Sequence, residues 1–321
     1  CTAALTPGTL TSYRNNRSLR PGVTPVSLEL SSSDTNVGTI LNTPRALGPG
    51  QACTSSLTPN FQFDPIGGGT ATISLTTPAG YATPSSLAQT RTATVTAAGI
   101  TYVYPNYQMA KDTQDDGFYV QLGAPAPAGG VTVTLTSSDP TRLLLAQNNS
   151  TSVGSASITV NIPAGQYYAH YSIQALADNG TVTVEVSAPG YTGTNGSHPL
   201  TPLGFYISTG DISTTTLSAN TAVTVCTAAL TPGTLTSYRN NRSLRPGVTP
   251  VSLELSSSDT NVGTILNSPR TLGPGQACTS SLTPNFEFDP MGGGTATISL
   301  TAPAGYATPS NLAQTRTATV N

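Results

Sequence analysis

Apolar and polar residues alternate one by one along much of the chain. Val131, Val133 and Leu135 alternate with Thr132, Thr134 and Thr136. Ile158, Val160 and Ile162 alternate with Ser157, Thr159 and Asn161, and Val182, Val184 and Val186 with Thr183, Glu185 and Ser187. A period of two puts one set of side chains on each face of a strand, so these runs predict strands with one buried and one wet face. Turn signals separate them: Ser-Asp-Pro at 138–140, Pro-Ala-Gly at 163–165, Asn-Gly at 179–180 and Ala-Pro-Gly at 188–190. No segment carries the period of an amphipathic helix. Short strands at this spacing predict an all-β protein of the sandwich type.

The pattern is also repeated on a larger scale. The segment beginning at Cys1 recurs at Cys226, and residues 1–96 pair with 226–321 with seven differences: Thr43/Ser268, Ala46/Thr271, Gln62/Glu287, Ile66/Met291, Thr77/Ala302, Ser86/Asn311 and Thr96/Asn321. Only Gln62/Glu287 changes the charge. Weaker echoes tie the middle of the chain to its flanks: 129–140 resembles 22–34, and 177–192 resembles 67–83. The chain therefore divides into three modules in the order A, B, A: 1–97, 98–212 and 213–321. Near-identity of this extent favours a role that gains from length, such as a fibre or stalk, over an enzyme. The strand-like run 218–225 precedes Cys226 and has no counterpart before Cys1, so the first A module is expected to lack an opening strand.

The middle module carries the run V-T-V-T-L-T-S-S-D-P, then I-P-A-G-Q, an aromatic strand, D-N-G-T-V-T-V and S-A-P-G-Y. This order resembles the bacterial immunoglobulin-like repeats, over about residues 116–208 and more loosely in both A modules. The resemblance implies tandem immunoglobulin-like β-sandwich domains in a linear array, as in surface, adhesin and filament proteins. It implies no ligand, because one fold hosts many functions. The A modules depart from it in a longer, proline-rich opening and in Gly67-Gly68-Gly69.

Composition narrows the partners. Charged residues make up 8% of the chain, against roughly 25% in an average soluble domain. With 12 Lys and Arg, 14 Asp and Glu and a formal net charge of −2, there is no basic surface for nucleic acid. No apolar run reaches the roughly 18 residues of a membrane-spanning helix, so no membrane insertion is expected. Low charge limits repulsion between copies, which suits lateral packing into a homopolymeric filament or bundle.

The four cysteines form one pair per A module, Cys1 with Cys53 and Cys226 with Cys278. This even usage predicts an intradomain disulfide in each and an oxidising, extracellular setting. Free thiols and inter-chain bridges are the alternatives. Alignment of Cys53 with the Ile158 strand predicts a bridge between an opening and a middle strand. The spacing is not that of a metal or redox motif, and no metal or other cofactor is expected.

Candidate chemistry is sparse, and no catalytic residue is assigned. In 166–173 alternation sends Tyr167, Ala169, Tyr171 and Ile173 to the core, and Tyr168, His170 and Ser172 outward. His198, in a turn-rich stretch, is expected to be solvated. Tyr104, Tyr107, Tyr168 and His170 are the candidate contact patch, because tyrosine joins an apolar ring to a polar tip. Its partner would be a cell-surface glycan or protein. Asp112, Asp115 and Asp116 offer oxygens for calcium but lack the spacing of an EF-hand loop, and a polar loop is the competing reading. Lys111, the single lysine, argues against lysine isopeptide links. Six N-x-S/T triplets, at Asn16, Asn148, Asn149, Asn179, Asn195 and Asn241, matter only where N-glycosylation occurs. The main expectation is a structural fibre segment, with residues 214–225 as a strand able to pass to a neighbour. An adhesin with B as the binding module, or the non-catalytic stalk of a secreted enzyme, are the rivals.

Overall fold

The computed structural model describes residues 1–321. Nearly all regular structure is strand; the exceptions are the short 3-10 turns Thr54–Ser56 and Thr279–Ser281. The all-β, sandwich-type fold read from the alternation is therefore what the chain adopts. No helix is long and apolar enough to cross a membrane. The chain forms two compact units, one of Cys1–Gly99 with Pro189–Thr192, the other of Ile100–Ala188 with Gly193–Asn321.

In the larger unit, the middle module packs two sheets. One runs in the order Met109–Ala110, Thr194–Thr201, Thr181–Ser187, Val131–Ser137, Ser157–Ile162. The other places Tyr168–Ala175 between Leu143–Gln147 and Gln114–Leu122, and residues 100–102 pair on the far side of Gln114–Leu122. The alternation dictates the core between them. Val133, Leu135 and Val184 on one sheet and Val120, Leu145, Tyr171 and Ile173 on the other have no exposed surface. Ile158 and Val160, on the edge strand, are half-buried.

Two readings of the aromatic strand need correction. Tyr167 is exposed, because the strand begins only at Tyr168 and Tyr167 belongs to the preceding turn. Ser172 is buried, because the 148–152 loop folds over it and the backbone N–H of Asn149 donates to its hydroxyl across 3.0 Å. Ala169, Tyr171 and Ile173 point inward, and Tyr168 and His170 outward, as the alternation requires.

The second A-type copy forms three sheets over a continuous core. A five-stranded sheet runs Ile212–Thr214, Thr315–Val320, Gly294–Thr301, Val251–Ser257, Arg270–Leu272. Two three-stranded sheets run Leu203–Ile207, Val225–Leu230, Ser237–Asn240, and Thr221–Val223, Phe286–Pro290, Gly263–Leu266. Phe205, Ile207, Val225, Leu253, Phe286, Phe288 and Ile298 share the core. The strand Leu203–Ile207, which the sequence division gives to the middle module, thus pairs with and packs into the copy that follows it. The run 218–225 is likewise not one strand: Thr221–Val223 pairs with Phe286–Pro290, and a separate strand starts at Val225.

The smaller unit repeats this framework without those additions. Arg45–Leu47, Val26–Ser32, Gly69–Thr76 and Thr90–Val95 form a four-stranded sheet, and Ala3–Leu5 with Ser12–Asn15 and Gly38–Leu41 with Gln62–Pro65 form two-stranded ones. Each sheet is one strand smaller than its twin. Burial changes accordingly. Val251–Ser257 alternates buried and exposed, whereas the identical Val26–Ser32 alternates half-buried and exposed.

Candidate functional site

The densest polar chemistry lies where the middle module meets the second A-type copy. Residues 111–116 (KDTQDD) run into the strand Gln114–Leu122, and residues 238–245 (YRNNRSLR) leave the strand Ser237–Asn240. The two segments are zipped by backbone. Gln114 N–H donates to the Ser243 carbonyl across 3.1 Å, Arg245 N–H donates to the Asp112 carbonyl across 2.9 Å, and Thr113 forms a bridge with Leu244. Charges close the seam. Arg245 Nη2 lies 3.3 Å from Asp112 Oδ1, and Arg242 pairs with Asp115. Tyr306 donates its hydroxyl to Asp112 Oδ2 across 3.1 Å. Lys111 reaches the Gly305 carbonyl at 3.1 Å, with its ammonium 5.6 Å from the Tyr306 ring centre.

Asp112 and Asp115 are buried and taken up by arginines. Asp116 accepts from Ser172 and Gln114. The acidic run thus forms part of the seam between the two modules, its carboxylates engaged by arginine, tyrosine, serine and glutamine side chains. Burial lowers the Arg242 pKa and, aided by the adjacent Asp112 charge, raises that of Tyr306. Sequence reasoning missed Arg242, Arg245 and Tyr306. The available signal was charge density: in so sparsely charged a chain, KDTQDD and YRNNRSLR are conspicuous runs of opposite sign.

The candidate contact patch divides. Tyr104, 49% exposed, and Tyr168, 47% exposed, each meet Tyr119 edge-on at 5.8 and 5.5 Å, and His170 lies 5.3 Å from the same ring. Tyr119 therefore joins these three into one aromatic face. Tyr107 does not belong to it. Its ring packs edge-on against Phe118 at 4.9 Å and lies 4.0 Å under the Arg239 guanidinium, so it serves the seam.

His198, expected in solvent, has no exposed surface. Its Nδ1 lies 3.0 Å from the Tyr107 carbonyl, which can only accept, so Nδ1 carries the hydrogen. Nε2 then accepts from the Tyr102 hydroxyl at 2.6 Å, and Tyr102 accepts from Tyr171 at 2.7 Å. The whole relay is uncharged. Burial lowers the His198 pKa to about 4 and raises those of Tyr102 and Tyr171.

Both disulfides form, Cys1–Cys53 and Cys226–Cys278, each closing a separation of 52 residues. They do not join an opening strand to a middle strand. Cys53 and Cys278 immediately precede the 3-10 turns, and Cys226 meets Cys278 through an isolated bridge.

No family model matches the chain, and no curated protein matches it. Among solved structures it is similar to domains 5–6 of the S-layer protein SbsC, at 15% identity and a TM-score of 0.27, covering 70% of this chain and 97% of that one. It is similar to the I9–I11 tandem of titin at 9% identity and a TM-score of 0.31, covering 92% and 89%. Sidekick-1 immunoglobulin domains 1–5 match at 11% identity and a TM-score of 0.30, covering 96% and 57%. Likeness at this level transfers no residue role and no partner.

Proposed function

We propose that the chain is a structural, non-catalytic segment of an extracellular assembly of tandem immunoglobulin-like β-sandwich modules, associating with copies of itself into filaments. The observation that carries this reading is the seam between the middle module and the second A-type copy. Backbone bridging, paired charges and the buried Asp112 and Asp115 restrict hinge motion between successive modules, which suits a spacer that holds distance. The near-identical duplication supports it, since repetition adds reach. Two disulfides and the absence of a free cysteine fit an oxidising compartment. Electron microscopy of native material tests the reading. An axial repeat of about 70–90 Å per A–B pair is expected from end-to-end sandwiches of typical strand length. Discrete particles without any axial repeat would refute it.

The aromatic face of Tyr104, Tyr119, Tyr168 and His170 favours a second reading, an adhesin in which the middle module binds a glycan or protein. Retention on a glycan array, abolished by Tyr168→Ala, would support it; no retention by the unmodified chain would remove the glycan arm.

A further inference from the structure

The chain holds two Asn-Gly pairs, Asn179-Gly180 and Asn195-Gly196, and the fold treats them differently. Asparagine before glycine is the pair most prone to cyclise, because the following backbone nitrogen has no adjacent Cβ to shield it. Asn195 and Gly196 lie within the strand Thr194–Thr201, paired with Glu185 and Val184 respectively, and Gly196 is buried. Asn179 and Gly180 lie in the exposed turn between Tyr168–Ala175 and Thr181–Ser187, where Gly180 takes a φ of +72°.

Two charged side chains hold the Asn179 amide. Arg142 Nη2 donates to Asn179 Oδ1 across 2.9 Å and also to the Asn179 main-chain carbonyl. On the other side Asn179 Nδ2 donates to Asp178 Oδ1 across 2.9 Å. A guanidinium can only donate and a carboxylate only accept, so these bonds settle the orientation of the amide: oxygen to Arg142, nitrogen to Asp178. Arg142 is itself anchored, since Leu176 N–H donates to its carbonyl at 2.8 Å and its own backbone N–H donates to the Asp139 carbonyl at 3.1 Å. Its guanidinium also covers Gly180, where a Cβ would lie 2.6 Å from Nη2.

We propose that Asn179-Gly180 is a self-modification site, at which Arg142 promotes conversion of the asparagine to an aspartyl or isoaspartyl residue. The Gly180 nitrogen attacks Asn179 Cγ, and an N–Cγ bond forms as negative charge collects on Oδ1. The hydrogen bond from Arg142 Nη2 stabilises that charge. The Cγ–Nδ2 bond then breaks, and Nδ2 leaves as ammonia with the proton that the Gly180 nitrogen gives up. Water opens the resulting cyclic imide, breaking the bond from the Gly180 nitrogen either to Cγ or to the main-chain carbon. The oxygens on both of those carbons are ones that Arg142 already contacts. The new carboxylate arises beside the guanidinium, so a neutral contact becomes an ion pair. The inference stands apart from the filament and adhesin readings, neither of which uses this turn.

The test incubates the full chain in mildly alkaline buffer and follows deamidation peptide by peptide by mass spectrometry, with isoaspartyl methyltransferase labelling as a second readout. In the folded chain Asn179 is expected to convert roughly tenfold or more faster than Asn195, and the two rates should converge in urea, where the strand no longer protects Asn195. Arg142→Gln is expected to slow conversion of Asn179 by roughly tenfold. An arginine that merely tethers the turn would give the opposite sign, because its removal frees the backbone to cyclise. Conversion at Asn195 as fast as at Asn179, a difference that persists in urea, or an Arg142→Gln rate equal to or above that of the unmodified chain would each overturn the proposal.

Discussion

Tyr306 and Asp112, 194 residues apart in sequence, share a hydrogen bond of 3.1 Å in which the phenol donates to one carboxylate oxygen while Arg245 holds the other at 3.3 Å. Both partners of the carboxylate come from the second A-type copy, so the Asp112 side chain is oriented by a module other than its own. Asp112→Asn keeps the shape and removes the charge, leaving the Arg245 guanidinium short of its counter-ion in a largely buried site. A loss of roughly 3 kcal/mol in the stability of the larger unit is expected in denaturant melts. Tyr306→Phe deletes one hydrogen bond, and about 1 kcal/mol is expected. In the Asp112→Asn chain the Tyr306 phenol should also ionise at lower pH, since the negative charge that opposes its ionisation is gone, and ultraviolet titration reads this directly.

The two disulfides should not reduce together. Cys226 is 3% exposed, whereas its twin Cys1 is open to solvent. Thiol–disulfide exchange requires access to a sulfur. Under graded dithiothreitol, differential alkylation with mass spectrometry should find Cys1 and Cys53 labelled first. Loss of either bridge frees a loop of 52 residues, for which the chain-entropy account gives about 4 kcal/mol.

Acid should loosen the middle module through His198. Its folded pKa, about 4, lies below the unfolded value of 6.5, so the unfolded chain binds more protons between those limits. Stability is therefore complete above about pH 6.5, falls as pH drops through that window, and is lower by about 3 kcal/mol once pH is below 4. Carboxylates titrate in part of the same range. The difference between the unmodified chain and His198→Gln isolates the histidine, and a difference that stays flat from pH 7 to pH 4 would contradict the relay.

The same site explains what the sequence displayed and what it concealed. The runs at 131–136 and 182–187 announce their buried faces because valine and leucine occupy them. The strand Thr194–Thr201 obeys the same period of two, with Gly196, His198 and Leu200 inward, but its inward residues include the shortest side chain and a polar one. Hydrophobicity cannot mark such a face. Gly196 is required by the Tyr102 ring, whose Cε1 would lie 2.1 Å from a Cβ at that position. The seam was hidden for a different reason: KDTQDD and YRNNRSLR are far apart in sequence, and each alone reads as a solvated loop. The duplication was visible in the repeat, but the strand Leu203–Ile207 was not assignable, since its apolar run suits either neighbour's core.

Gly196→Ala should accordingly cost about 1–3 kcal/mol, the range for overpacking a filled core. The loss should be seen in the melting of the larger unit and be relieved in part by Tyr102→Leu, which withdraws the ring. An alanine tolerated without cost would mean that the ring has room to move.

The segment 203–225 sets where the second sandwich can be cut. The strand Leu203–Ile207 closes a sheet and fills the core of the copy that holds Cys226, some two dozen residues upstream of that cysteine. Any excision or recombinant expression that starts at Cys226 will cut this sandwich open, and only a frame beginning just before Leu203 delivers a sealed one.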